Sequence, residues 1–301
     1  MIDTIGAVAI GRNEGERLRL CLQSLRRQME RVVYVDSGST DGSVEMARAL
    51  GAEVVELDLT QPFTAARARN AGFTRLLGAE PGLEFVQFVD GDCELRDSWL
   101  PAALQHLQAH PRVAVACGRN RERFPDATPY NYLCDLEWDT PVGETEACGG
   151  NFLVRTDAYR QVDGFQEDLI AGEEPDLCFR LRRRQWKIMR LDEEMTLHDA
   201  AMTRIWQWWQ RSKRSGYAEM EACQRRGHYE PHLRRRVWSN VLWSLPPAWP
   251  LWPVLWARVY RRQGALYASH IVAGKLAHTA GILAYWSRRL SRKKPQLIEY
   301  K

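Results

Sequence analysis

Apolar positions along the first hundred residues switch between two periods. Ile5–Ile10 and Val32–Val35 are near-continuous runs of β-branched and apolar residues, the pattern of strands buried on both faces. Between them, Glu16–Gln28 repeats Leu18, Leu22 and Leu25 at helical spacing. The alternation continues with a helix over Val44–Leu50, a strand over Glu53–Leu57 and a helix over Ala65–Leu77. It closes with a strand over Glu84–Val89, a helix over Asp97–Ala109 and a strand over Val113–Cys117. Strands separated by helices of this length predict parallel βαβ units, and so an α/β fold with a mostly parallel sheet flanked by helices.

The pattern loosens after about residue 120. Residues 120–147 read as a loop-rich excursion, Asn151–Arg155 as a short strand, and Asp176–Arg184 as a helix opened by Pro175 in its first turn. Another short strand pattern precedes His198. From Ser239 to Ala257 the chain runs 19 residues without a charge, rich in Trp and Leu, between Arg234-Arg235-Arg236 and Arg258. That length is borderline for a membrane span, and Pro246, Pro247, Pro250 and Pro253 argue against a straight one. Gly264–Trp286 is apolar on one face but carries His270, Lys275 and His278. Tryptophans beside basic flanks predict a tail lying in a membrane interface rather than crossing it. A buried helical subdomain is the alternative.

Composition sharpens this picture in two ways. The net charge of +4 conceals an asymmetry: residues 201–301 hold 19 Lys/Arg against 4 Asp/Glu, while the first 200 are net acidic. A basic tail on an acidic body points to an anionic partner surface. Its uncharged, Trp-rich centre favours lipid over nucleic acid, whose binders spread basic residues through the contact face. The seven cysteines are scattered, with no CxxC pair, so neither a disulfide framework nor a zinc site is expected and a reducing cytosol is. The chain enters directly into a strand pattern, with no secretory leader expected.

The candidate chemistry sits where strands end. Phe85-Val86-Gln87-Phe88-Val89-Asp90-Gly91-Asp92 is an apolar strand closing in two carboxylates one residue apart. Asp90 and Asp92 can aim hard oxygen ligands at one divalent cation, although Asp-Gly-Asp is also good turn chemistry. The second strand ends in Val35-Asp36-Ser37-Gly38-Ser39-Thr40-Asp41-Gly42, where Asp36 can accept from an N–H or hydroxyl or serve as a helix cap. In a parallel sheet both loops open on the same edge, where α/β folds place ligands.

Together these stretches strongly resemble the family 2 glycosyltransferases of GT-A fold. The matching residues are Val8-Ala9-Ile10-Gly11-Arg12-Asn13-Glu14-Gly15, the Asp36 loop, Ala66-Arg67-Ala68-Arg69-Asn70-Ala71-Gly72, Asp90-Gly91-Asp92 and Gly172-Glu173-Glu174-Pro175-Asp176-Leu177-Cys178. The resemblance covers roughly residues 3–200. It implies a catalytic domain over 1–200, with a nucleotide half to about 118 and an acceptor half over 119–200, followed by the tail at 201–301. It implies that Ile10, Arg12, Glu14 and Asp36 line a nucleoside pocket and that Arg69 lies near the diphosphate. Asp90 and Asp92 would hold Mg²⁺ or Mn²⁺ between the phosphates, with His198 completing the site. Glu174 would be the general base, and Glu173, Gly149, Gly150 and Asn151 would border the acceptor.

The implied activity is inverting transfer of a single sugar from a nucleotide diphospho-sugar to an acceptor hydroxyl on a glycan or a lipid-linked molecule, at the cytoplasmic face of a membrane. The run Trp206-Gln207-Trp208-Trp209-Gln210-Arg211 does not match the Gln-x-x-Arg-Trp signature of processive synthases. Three rivals stay open: a polyprenyl-phosphate sugar synthase of the same fold, a glycosidase with paired carboxylates, and a non-catalytic membrane adaptor.

Overall fold

The computed structural model describes residues 4–291. Within them nine strands form one sheet: β1 (Ile5–Gly11), β2 (Val32–Asp36), β3 (Glu53–Glu56), β4 (Phe85–Asp90), β5 (Cys93–Leu95), β6 (Val113–Glu122), β7 (Gly143–Glu144), β8 (Phe152–Arg155) and β9 (Lys187–His198). The helices are α1 (Glu16–Gln28), α2 (Ser43–Ala49), α3 (Ala65–Ala79), α4 (Trp99–Ala109), α5 (Pro129–Trp138), α6 (Thr156–Gln161), α7 (Glu173–Arg183), α8 (Ile205–Arg226), α9 (Pro231–Ser244) and α10 (Trp252–Leu290). A 3₁₀ segment, Pro246–Leu251, joins the last two.

The alternating strands and helices of the first 118 residues form as their periodicity predicts. The order is β3-β2-β1-β4-β8-β6-β9-β5, with β7 paired to β9. β1 lies parallel between β2 and β4, and its register sets Gly11 beside Asp36 and Ile10 beside Asp90. That register brings the two carboxylate loops to one sheet edge.

The sheet is mixed rather than mostly parallel. β8 runs antiparallel to both β4 and β6, and β9 pairs antiparallel with β5 and β7 while running parallel to β6. A short apolar strand buried on both faces reads the same whichever way its neighbours run, so direction is absent from the pattern. Two further expectations change. The excursion at 120–147 contains α5, and β6 extends to Glu122. α7 begins at Glu173, so Pro175 sits inside its first turn, where the missing N–H costs no helical bond.

By contacts the chain divides into two compact units, one of residues 4–124, 134–169 and 173–200, the other of 125–133, 170–172 and 201–291. The first holds the sheet. Leu18, Leu22 and Leu25 of α1 are fully buried, as their spacing requires. Each such side chain contributes about 1.5–3 kcal/mol by leaving water. Across the sheet Phe73, Phe88, Phe152, Tyr159 and Phe165 pack ring on ring. Gln87, next to Phe88 on β4 and so facing the other way, is buried and satisfied, since its Oε1 accepts from Trp99 Nε1 at 2.8 Å.

The second unit is helical. Tyr217, Met220, Val237, Ile282 and Tyr285 form its core. α10 is two helical segments, because Gly264 at φ 80° breaks the helical path. No helix among the described residues is long and apolar enough to cross a membrane. Trp238, Leu242, Trp249, Leu251 and Val254 are exposed on this unit.

Candidate active site

The carboxyl ends of β1, β2 and β4 define the site. Asp36 is buried at the end of β2, where its Oδ2 accepts the Gly38 and Ser39 N–H groups at 2.8 Å each and its Oδ1 accepts from Tyr34 Oη at 2.9 Å. The loop after β1 is stitched to this turn: Asn13 N–H donates to Ser39 Oγ at 2.9 Å, Thr40 N–H to Asn13 Oδ1 at 2.7 Å, and Gly15 N–H to Asp41 Oδ2 at 3.1 Å. Ile10 is buried in β1, Arg12 is exposed, and Glu14 pairs with Arg17 at 2.8 Å. The result is a rigid shelf of loop backbone against Asp36.

The Asp90-Gly91-Asp92 turn lies on the other side of β1. Gly91 N–H donates to Ile10 O at 2.8 Å and Asp90 N–H to Asn151 Oδ1 at 2.8 Å, which ties the backbone of the turn to β1 and to Asn151. Pairing of β5 with β9 sets Cys93 opposite His198 and brings His198 Nε2 within 3.0 Å of Asp92 Oδ2. Trp138 stacks on the His198 ring, centroids 4.4 Å apart at 15°. Candidate ligand atoms of Asp92, Cys93 and His198 all lie within 4.8 Å of one another.

Carboxylate oxygens with an imidazole suit Mg²⁺ or Mn²⁺. The buried Cys93 thiol is pushed well up by desolvation and then by Asp90. Gly150 leaves room at the same point: a Cβ there would stand 2.5 Å from Asp90 Oδ2. The residues fit a hard divalent cation.

Arg69, on α3, is the hub between this turn and α7. It is buried, and its guanidinium reaches Asp90 Oδ1 at 2.9 Å, Glu173 Oε1 at 3.0 Å and Glu174 Oε1 at 3.1 Å, with Phe165 facing it at 5.4 Å. Three carboxylates around one cation cannot all be neutralised by it. Glu174 carries the consequence: burial first, then the neighbouring Glu173, pushes its carboxyl up to about 7 despite the opposing pull of Arg69. A carboxyl poised there can take a proton near neutral pH.

Asp90, Arg69, Glu173, Glu174, Gly150 and Asn151 therefore form one cluster; Asp92 with His198 forms the next, and Asp36 with Ile10 the third. Gly149 is exposed at the rim with φ 81°. Sequence reasoning missed Tyr34, which the two-residue period puts on the Asp36 side of β2. It also missed Asn13 and Trp138, and nothing local to Trp138 signals its stacking. Cys148 and Cys178, thirty positions apart, bring their Sγ atoms to 3.4 Å, with Cys148 immediately before the glycine pair. All seven cysteines are free.

Comparison with known proteins decides the family. The model of "Glycosyl transferase family 2" matches residues 8–162, more than half of the chain. The chain belongs to glycosyl transferase family 2. This family 2 member is 32% identical over 183 residues to the pre-mycofactocin glycosyltransferase of Mycobacterium tuberculosis, a match covering 56% of the chain and 37% of that protein. The matched stretch is thus little more than a third of that relative's length. It is 23% identical over 294 residues to glycosyltransferase AglE of Haloferax volcanii, covering 91% of the chain and 93% of the relative.

Among solved structures, the mannosyltransferase PcManGT from Pyrobaculum calidifontis, in complex with GDP-Man and Mn²⁺, aligns at TM-score 0.64 and 17% identity, over 97% of this chain and 88% of that one. Glucosyl-3-phosphoglycerate synthase from Mycobacterium tuberculosis, with Mn²⁺, UDP-Glc and phosphoglyceric acid, aligns at TM-score 0.56 and 16% identity, over 75% and 80%. These likenesses show the fold: GT-A-like α/β, a mixed sheet flanked by helices.

Proposed function

We propose that the chain is an inverting, metal-dependent glycosyltransferase that moves a single sugar from a nucleotide diphospho-sugar to an acceptor hydroxyl. The observation that carries this reading is the convergence on one sheet edge of Asp36, Asp90 on Arg69, the Asp92–His198 pair and a Glu174 carboxyl poised at about 7. The neighbours bound to GDP-Man or UDP-Glc with Mn²⁺ support the donor class and the ion.

In this reading Ile10, Arg12, Glu14 and Asp36 hold the nucleoside, Asp36 and the loop amides around it supplying the polar contacts. Asp90, Asp92 and His198 would hold the divalent ion, which when bound neutralises charge developing on the departing diphosphate. Arg69 adds positive potential beside Asp90 and holds Glu173 and Glu174 in place. The acceptor hydroxyl lies over Gly149, Gly150 and Asn151 within reach of Glu174. Its proton passes to the Glu174 carboxylate as its oxygen bonds to the anomeric carbon. The bond from that carbon to the β-phosphate oxygen breaks, and its electron pair leaves with the nucleoside diphosphate. Attack opposite the leaving group inverts the anomeric centre.

A base at about 7 favours a hydroxyl acceptor over a phosphate acceptor, because a phosphate is already anionic and needs none. The exposed Trp and Leu side chains of the basic second unit support a peripheral position on the cytoplasmic face of a membrane, with envelope glycan or glycolipid assembly as the setting. A panel of UDP- and GDP-sugars, read by nucleoside diphosphate release with and without Mn²⁺, tests the reading. Release that ignores both the sugar nucleotide and the ion would overturn it.

A further inference from the structure

The second unit contains a feature that sugar transfer does not use. Between α8, α9 and α10 lies a cleft of about 360 Å³, within the size range of small-ligand sites. Its cationic lining comes from two helices, Arg235 and Arg236 on α9 and Lys275 on α10, with His270 and His278 of α10 beside them.

The one acid in the wall, Glu219 of α8, is already engaged. Its Oε2 accepts from Asn240 Nδ2 at 2.8 Å and lies 3.2 Å from His278 Nδ1. Lys275 is half-buried, and its ammonium donates to two neutral oxygens, Asn240 Oδ1 at 2.9 Å and Ser239 Oγ at 3.2 Å. An ammonium has three N–H donors, so one is left over for a ligand. Burial pulls the Lys275 pKa down, opposed only in part by the charge of Glu219. His270 Nδ1 accepts from Trp208 Nε1 at 2.7 Å, which fixes its ring in the wall of the cleft. Arg235 and Arg236 are exposed at the rim with no carboxylate partner among the described residues.

A fixed amine and two guanidinium forks around one small cleft make a donor set for a tetrahedral oxyanion. We infer that this cleft is a binding site for a phosphate group, presented by a membrane phospholipid or by a soluble phosphate ester. Half-buried Lys275, which donates to neutral oxygens, is the anchor and Arg235 and Arg236 the clamp. The inference stands independently of the transfer chemistry proposed for the first unit. A lipid source is consistent with the exposed Trp238, Leu242 and Trp249 on α9 and the 3₁₀ segment, since Trp side chains settle at headgroup level.

The test uses the full chain with two probes. Calorimetric titration with glycerol 3-phosphate reads the site itself. Co-sedimentation with vesicles of equal parts phosphatidylglycerol and phosphatidylcholine, against phosphatidylcholine alone, reads the lipid source. Wild type binds glycerol 3-phosphate saturably, and Lys275→Met or the pair Arg235→Gln/Arg236→Gln weakens it by at least about tenfold, the loss of a charge-assisted hydrogen bond. The arginine pair is exposed, so it keeps the test valid should Lys275→Met fold poorly.

A parallel loss of vesicle binding identifies the lipid headgroup as the source. Vesicle binding that survives, with glycerol 3-phosphate binding lost, identifies a soluble phosphate ester. Absence of saturable phosphate binding, together with vesicle binding unchanged in the variants, overturns the inference while leaving a membrane position intact. Wild type that ignores anionic vesicles yet binds glycerol 3-phosphate refutes the membrane position and keeps the site.

Discussion

Glu174→Gln separates the proposed base from a merely structural acid. The carboxyl ordinarily titrates near 4.5, and in the folded chain burial and Glu173 push it to about 7. That interval corresponds to about 3 kcal/mol of differential interaction between the charged and neutral forms. Between the two values the folded chain keeps a proton that the unfolded chain has released. The folded state therefore binds more protons, and wild-type stability falls as pH rises through this window, the loss being complete above about 7. Glutamine resembles the neutral acid and does not titrate. Urea unfolding followed by circular dichroism should thus show the variant gaining on wild type by about 3 kcal/mol from below 4.5 to above 7. Donor turnover should fall by about 10²–10⁴, the usual contribution of a positioned base. Stability profiles that stay parallel across this range would refute the raised pKa, and turnover within a few-fold of wild type would refute the role.

Three further outcomes follow from the same geometry. Arg69→Met removes the cation shared by Asp90, Glu173 and Glu174, and should lower unfolding stability by about 3–5 kcal/mol, read from the urea midpoint; an unchanged midpoint would show that the three carboxylates do not depend on it. Asp92→Ala should abolish the Mn²⁺-dependent part of UDP or GDP affinity in calorimetry, and affinity that still responds to Mn²⁺ would remove Asp92 from the ligand set. Gly150→Ala places a methyl 2.5 Å from Asp90 Oδ2 and 3.0 Å from Arg69 Nη2, so nucleotide-sugar turnover should fall much further than the melting temperature; equal losses in both would point to a folding role alone.

Much of the sheet edge at the ends of β2 and β4 was legible in advance because its signals are local. Asp36, Asp90 and Asp92 each end an apolar run, and a strand's end is visible without knowing its neighbours. The five matching motifs located Arg69 and Glu174 by likeness, but not what Arg69 does with its guanidinium. Its three ionic partners lie 21, 104 and 105 positions away, and no local period encodes such contacts. α5 went unread because Pro129–Trp138 mixes apolar, polar and acidic positions without a clean stripe. α8 was likewise unread, its Trp cluster drawing attention to a motif rather than to a 22-residue helix.

The sequence by itself determined the alternation of buried strands and amphipathic helices, the carboxylates that close two of those strands, and the charge contrast between body and tail. These depend on side-chain periodicity and composition, which need no partner to be read. The tertiary structure decided the mixed direction of the sheet, the meeting of Asp92 with His198 across the β5–β9 ladder, and the crowding of three acids around Arg69. It also decided the cationic cleft of the helical unit, whose residues lie on three separate helices. Each of these depends on which distant segments share a neighbourhood, and only in that neighbourhood do desolvation and like charges move Glu174 to where it can accept a proton.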